Sequence, residues 1–343
     1  MSERYLLVGY PGLVARAVLR VLDAEVAGSK RAGSERAGPE VEVLVETPVQ
    51  AERLATEWPF ARARLGRWDA VDLGLSGPEY MDLAGRSQRL IWCAELSGGE
   101  GYTLEDCPAL RSAAELVELA RVAGRLEAAV YLSSVLALGD ARGRVLESEL
   151  RVGQRFQQTA EEACAIGEGL VERASKDLPL TIARAPAILG DGETGECPVD
   201  GALLRLVRGC EVAPRVIPAS FRDQPVHAVT ADFVARSLLA LVREPRARGR
   251  RVHLVEEQPP TDLTFFECVA TGCERTLEER PLQGLFARPQ SPLMRLKGVD
   301  ARLLQGWDIV FDRTEARGLL PEPPEPLKRS LPRLIAWCRG LHD

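Results

Sequence analysis

Histidine is nearly missing from this chain: His227, His253 and His342 are the only three in 343 residues. No two of them stand at a metal-binding spacing, and a serine or cysteine nucleophile has few bases to draw on. Tyrosine is almost as scarce, limited to Tyr5, Tyr10, Tyr80, Tyr102 and Tyr131. The eight cysteines include no Cys-x-x-Cys pair. They are spread through apolar segments, which predicts reduced thiols in a cytoplasmic protein and neither a metal site nor a disulfide frame. No apolar run reaches the roughly 20 residues that cross a bilayer. Residues 1–5 lead straight into an apolar strand, so no signal peptide is expected. A basic excess is lacking too. The net charge of −6 argues against nucleic acid or an anionic membrane as partner.

What is present is ordinary globular material, with 45% hydrophobic and 27% charged residues. One stretch organises it. Tyr5-Leu-Leu-Val8 is an apolar run, Gly9-Tyr10-Pro11-Gly12 a Gly-rich turn, and Leu13 and Val14 open an apolar helical pattern. A turn of this kind lets the backbone reverse sharply and lets a phosphate approach the positive end of the helix. The spacing Gly9-x-x-Gly12-x-x-Ala15 is close to a dinucleotide fingerprint. Any tight strand-to-helix turn is the plainer alternative.

Strands are expected at 41–45, 62–65, 89–93, 128–133 and 180–183, alternating with helices at 50–58, 77–83, 109–122 and 153–174. Residues 27–39 are Gly/Ser/Arg-rich and predict a surface loop. Apolar strands alternating with helices predict an α/β fold, a doubly wound parallel Rossmann sheet covered on both faces. The pattern loses regularity near residue 195. Residues 1–195 are therefore read as the dinucleotide-binding-type domain and 196–343 as a smaller C-terminal α/β cap over the carboxyl ends of the strands. Helices at 201–207 and 231–242, strands near Val216 and Val252, and a last helix to about Leu341 are assigned to that cap.

Six segments, in order, carry a family likeness. They are the turn above, Leu73-Gly-Leu-Ser76 with Tyr80 and Leu83-Ala84, Tyr131-Leu-Ser133-Ser134 through Gly139, Glu149-Leu-x-x-Gly153-Gln154-x-Phe156, Arg184-x-Pro186 through Gly190-Asp191-x-x-Thr194-Gly195, and Pro225-Val226 with Ala231-Asp232. Together they resemble the extended short-chain dehydrogenase/reductase superfamily, which includes the NAD-dependent epimerases and dehydratases. The likeness is nearest to the thioester reductase and fatty acyl-CoA reductase branch, and it spans about residues 4–240.

That resemblance implies a Tyr and a Lys four residues apart on one helix face, a Ser or Thr that polarises the substrate carbonyl, and an upstream Asn. Here Ser134 fills the Ser/Thr position, but Ala160 stands at the Tyr position, Cys164 at the Lys position and Ala109 at the Asn position. Alanine cannot move a proton. Cys164 could do so only as a low-pKa thiolate, and Glu161, Glu162 and Glu168 nearby oppose that, so a core thiol is the plainer reading. The resemblance also implies that Ala94, Ser133 and Pro186 line the dinucleotide together with the turn. Glu46 ends the second strand where the NADP-dependent reductases carry an Arg. A carboxylate there suits a free ribose diol and repels a 2′-phosphate; a solvated strand-end Glu is the alternative. Glu95 would add a second carboxylate near the cofactor's sugars.

Two functions are open at this point. One is a Rossmann-type pseudoenzyme that senses a nucleotide or pairs with a partner. The other is an NAD(P)-dependent oxidoreductase or isomerase acting on a carbonyl or thioester, its proton chemistry moved to carboxylates such as Glu95 or Glu149. NAD is expected over NADP, with an empty pocket as a further outcome. No metal is expected. The resemblance also implies a homodimer built on the helices at 109–122 and 153–174. The second of these carries a stripe of Phe156, Ala160, Ala163, Cys164, Gly167 and Val171 suited to close packing.

Overall fold

The computed structural model describes residues 3–31, 38–94, 102–219, 221, 223–279, 304 and 306–340. Seven parallel strands form the central sheet. They are β1 (Arg4–Val8), β2 (Glu40–Val45), β3 (Ala61–Leu65), β4 (Arg89–Trp92), β5 (Ala128–Ser134), β7 (Leu180–Ala185) and β11 (Arg251–His253). Their order across the sheet is β3-β2-β1-β4-β5-β7-β11. The register sets Leu7 of β1 against Val43 of β2 on one side and Ile91 of β4 on the other. The order reverses at β1, so the crevice beyond the carboxyl ends of β1 and β4 is the switch point where such sheets bind ligands.

Alternation along β1 divides the core. Tyr5 and Leu7 face a layer built with α1 (Leu13–Arg31) and α7 (Ala231–Arg243), whereas Leu6 and Val8 face α3 (Gly77–Arg86), α4 (Pro108–Val122) and α5 (Thr159–Ala174). Both faces are covered, which is why the strands read as continuous apolar runs. A third core cluster joins α6 (Ala202–Glu211), α8 (Asp262–Gly272) and the last helix, α10 (Leu327–Gly340). Three short parallel pairs surround it. β8 (Ala187–Gly190) pairs with β10 (Ala228–Thr230), β9 (Val216–Ala219) with β12 (Thr276–Glu279), and β6 (Gly143–Val145) with β13 (Ile309–Phe311). α2 (Pro48–Glu57) and α9 (Thr314–Leu319) complete the helices named here.

Three sequence expectations are corrected. The fifth helix starts at Thr159, not at Gly153. Gly153 has φ +80°, and the Gln154 amide donates to Ala137 O and Leu150 O, which holds the preceding stretch as a loop. The helix after β1 runs on to Arg31, into the stretch expected to be loop; residues 32–37 lie outside the described residues. The strand near Val252 belongs to the central sheet, pairing along β7. Together with α7, which packs on α1 and the sheet, it returns the chain from beyond residue 195 to the first layer. β11 is the terminal strand on that side and, at three residues, leaves a shorter edge than β7 would.

Candidate active site

The turn after β1 is tight. Gly12 N donates to Gly9 O at 2.8 Å, and Gly9 has φ +125°. A Cβ at Gly9 would lie 2.4 Å from Cys93 O, so the first glycine is set by the close approach of β4. We expect Gly9→Ala to cost about 1–3 kcal/mol in urea denaturation. Side chains around the turn are largely spent on packing. Tyr10, Leu13 and Val14 are buried in the α1 layer, and Pro11 is exposed and has no N–H to offer. Burial, with Glu57 next in weight, pushes the Tyr10 hydroxyl above its ordinary range. At this turn a ligand therefore meets main chain and the start of α1.

Two arginines of α1 moor the loop that follows β8. Arg16 donates to Pro11 O at 3.0 Å and pairs with Glu196 at 2.7 Å, and Arg20 pairs with the buried Asp191 at 2.7 Å. Asp191 also accepts from Glu193 N and Thr194 N. Burial pushes this carboxyl up, but the Arg20 and Thr194 hydrogen bonds outweigh it and hold Asp191 below the usual carboxylate range. Across the crevice, Ala94 is buried at the end of β4, and Glu46 is exposed at the end of β2 with its N–H donating to Gln50 Oε1. Glu95 lies outside the described residues.

Ser133 and Ser134 end β5. Ser134 accepts from Leu136 N at 3.2 Å, whereas Ser133 donates to Glu168 Oε2 at 2.8 Å and belongs to a buried network. Glu168 of α5 meets Arg184 of β7 at 2.6 Å and Arg251 of β11 at 2.5 Å, and Arg184 and Glu168 have no exposed side-chain surface. Burial raises the Glu168 pKa, but the two guanidiniums and Ser133 more than offset it and the carboxylate titrates below its ordinary range. Arg184 Nη1 donates to His253 Nε2 at 3.2 Å, which leaves the proton on Nδ1 for Asp312 O at 2.8 Å. Glu147 accepts from the amides of His253, Glu315 and Ala316. Sequence reasoning quoted Arg184 but gave it no role, and it missed Glu147, Arg251 and His253. The available signal was a charge at Arg184 inside the apolar run 180–189.

Pro186 is buried between β7 and β8. Ala160 is buried at the start of α5, and Cys164 packs in an apolar cluster with Cys107, Ala109, Ala137, Leu150 and Ala163. Burial, then Cys107 and the Glu168 and Glu161 carboxylates, pushes the Cys164 thiol far above the ordinary range, which removes the thiolate reading. Tyr131 approaches α5 from β5, its hydroxyl 3.7 Å from where a Cβ would stand on Gly167. Burial raises its pKa well above the usual phenol value, with Cys164 and Glu168 adding to the effect.

A family model described as male sterility protein, an NAD-binding class, matches residues 63–238, just over half of the chain. The chain belongs to that family. Among solved structures it is similar to the terminal R domain of the myxalamid PKS-NRPS biosynthetic pathway, with 20% identity and a TM-score of 0.75 over 99% of this chain and 92% of that one. It is similar to the reductase domain of a nonribosomal peptide synthetase from Mycobacterium tuberculosis, with 17% identity and a TM-score of 0.72 over 100% and 92%. It is also similar to Gre2 from Candida albicans in complex with NADPH, with 12% identity and a TM-score of 0.70 over 99% and 100%. At these identities the likeness establishes the shared Rossmann-like fold. No curated protein matches the sequence.

Within this male sterility family member the small-residue stripe of α5 is used inside the chain. Ala160, Ala163, Cys164, Gly167 and Val171 are buried, and a Cβ on Gly167 would lie 3.1 Å from Ala113 Cβ and 3.3 Å from Ala109 O of α4. Gly167 thus brings α5 against α4, Val171 joins the sheet-side core, and Phe156, before the start of α5, stays half-buried. Among the described residues no three His, Cys, Asp or Glu side chains are grouped to hold a metal ion, and no helix is long and apolar enough to cross a membrane.

Proposed function

We propose that the chain is a dinucleotide-binding member of its family without reductase catalysis, a cytoplasmic sensor or partner-binding protein. The observation that carries this reading is the apolar cluster at the positions where the family resemblance expects polar catalytic groups. Ala109 and Cys164 touch a common core with Ala137, Ala160 is buried on the same helix, and α5 has no tyrosine. The relocated alternative has little support. Glu149 spends its carboxylate on Leu146 N at 2.8 Å, and Cys164 is held as a neutral thiol.

NAD(P) fits the groups that are present, in part. Gly12 and the start of α1 would hold a pyrophosphate through main-chain donors and the helix dipole, and Glu46 would accept from the adenosine ribose diol. Ser134 and Pro186 would face the nicotinamide end. When bound, the dinucleotide supplies a hydride donor or acceptor; Ala160 and Cys164 give it no tyrosine or lysine to work with. Pro11 removes one amide, and the Lys that would grip the second ribose is absent. Each lost charged hydrogen bond is worth about 1.5–3 kcal/mol. Neighbours of this fold support the assignment, since one is described with NADPH and one with NAD.

Calorimetry is expected to show weak NAD binding, weaker NADP binding, and loss of both in Gly12→Asp. NADP binding tighter than NAD would overturn the role given to Glu46. With NADH or NADPH and a simple aldehyde or acyl thioester, turnover is expected to fall short of an active relative by at least the 10²–10⁴-fold, in round figures, that an acid catalyst supplies. Robust oxidation of either would overturn the pseudoenzyme reading.

The same proposal includes a homodimer, now placed on the outer face of α4 and α5. A groove there is lined by Ala114, Val117, Leu170 and Ala174 with Arg121 and Arg173, and Ile166 stands exposed one turn before Leu170. Light scattering should give twice the chain mass and fall to one chain mass in Leu170→Glu. A monomeric wild-type protein would remove the dimer.

A further inference from the structure

Four of the eight cysteines meet in pairs inside the C-terminal core. Cys197 lies in the loop after β8 and Cys338 on α10, and both belong to the one apolar cluster of this lobe. Cys197 Sγ is 3.6 Å from Leu334 O, one turn before Cys338. Cys210 of α6 and Cys273, the C-cap of α8, lie in the same cluster, with Cys273 Sγ 4.0 Å from Val207 O in the turn before Cys210. All four are buried. By contrast Cys93 gives its thiol to Val8 O, and Cys268 is only half buried. The sequence showed no Cys-x-x-Cys because each pair joins elements far apart in the chain.

We propose that Cys197–Cys338 and Cys210–Cys273 are modification sites, two dithiols that a peroxide converts to disulfides. The attacking thiol is Cys338 or Cys273, the member of each pair that its neighbour's thiol holds below the ordinary range; it gives up its proton and attacks a peroxide oxygen, hydroxide leaves and takes up that proton as water, and a sulfenic acid remains. The partner sulfur then displaces that oxygen, which departs as water with the partner's proton. Two thiols and one hydrogen peroxide thus give one disulfide and two waters. The way in is α10. Pro332 lies inside this helix and removes one of its backbone hydrogen bonds, which weakens it locally. The bridges have a defined consequence. Arg333 of α10 already donates to Gly192 O, and Glu196 of the same loop holds Arg16 of α1. A Cys197–Cys338 bond fixes α10 on the loop that reaches the nucleotide turn, and Cys210–Cys273 fixes α6 to α8 beneath it.

The test is graded hydrogen peroxide on the full-length native protein. Denaturation in an alkylating agent and peptide mapping by mass spectrometry follow. The expected result is two linked peptide pairs, 197–338 and 210–273, each lighter by two hydrogens and each restored by dithiothreitol. Cys338→Ala should remove only the first pair and Cys210→Ala only the second. The proposal is overturned if all eight cysteines are alkylated after peroxide treatment, if the four oxidise only to sulfinic or sulfonic acids, or if the linked peptides join other partners. Because the readout is a covalent map of the wild-type chain, it does not depend on any variant folding or on nucleotide binding.

Discussion

Glu168→Gln is expected to destabilise the protein by about 3–5 kcal/mol, the cost of leaving a buried charge without its partner. The substitution keeps size and shape, removes the charge and turns one of two accepting oxygens into a donor that faces Arg184 and either Ser133 or Arg251. Arg184, without exposed side-chain surface, and Arg251 would then face a neutral amide, and Arg184 has no other carboxylate within bridging distance among the described residues. Arg251 keeps Glu172 at 2.9 Å, so the loss centres on Arg184. Stability of native domains is of the order of 5–15 kcal/mol, so this single change consumes a large share of it. Urea denaturation reads the difference. The double variant Glu168→Met with Arg184→Met should recover much of it, because removing both charges removes the desolvation cost as well. A loss below about 1 kcal/mol for Glu168→Gln would mean that the charge is not what holds α5, β7 and β11 together.

Acid has the second large effect. Burial lowers the His227 pKa from 6.5 to about 4, partly offset by its bond to Ile309 O. Burial, with Arg184 next, lowers His253 to about 3. Both are neutral in the fold and charge readily once unfolded. Between pH 6.5 and the folded values the unfolded chain binds more protons, so stability rises with pH there and is lost on acidification. At about 1.4 kcal/mol per pKa unit, going from pH 7 to pH 4.5 should remove on the order of 5 kcal/mol from the two together. The depressed Glu168 adds to the loss below the ordinary carboxylate range, whereas Glu147 and Glu256, raised by burial, act against it. Urea midpoints at the two pH values test this, with His227→Gln expected to flatten the dependence by about half. A midpoint unchanged across that window would refute it.

The Rossmann sheet was legible because its evidence is local. Apolar runs of strand length, a glycine turn and helical periodicity each occupy a few residues, and they located six of the seven strands. β11 was not legible as a sheet strand, since three residues, Arg251–His253, two of them charged or polar, do not look like a buried edge. They are tolerated because Arg251 and His253 find Glu168 and Arg184 far away in sequence, a pairing no local pattern shows. The start of α5 was misplaced for a related reason, since apolar periodicity cannot see that Gln154 is already bonded to Ala137 and Leu150. In the candidate site, the motif alignment put Ala109 and Cys164 at catalytic positions, and the fold brings these two into one cluster. The sequence could not tell that Tyr10 turns into the core or that Gly167 of the α5 stripe packs against α4.

The return of β11 also orders the making of the protein. A ribosome must have released some 250 residues before β7 can acquire its outer neighbour, and α7 must already have crossed back over α1. Until then the nascent chain carries a half-finished sheet with an open rim, the condition in which strands of different chains find each other. Long-range closure of this kind is slow compared with the helix–turn contacts that surround it. A fragment cut at residue 195 is held at that stage: it keeps the nucleotide turn yet lacks the neighbour of β7, so it is expected to associate through that longer edge, which light scattering would read.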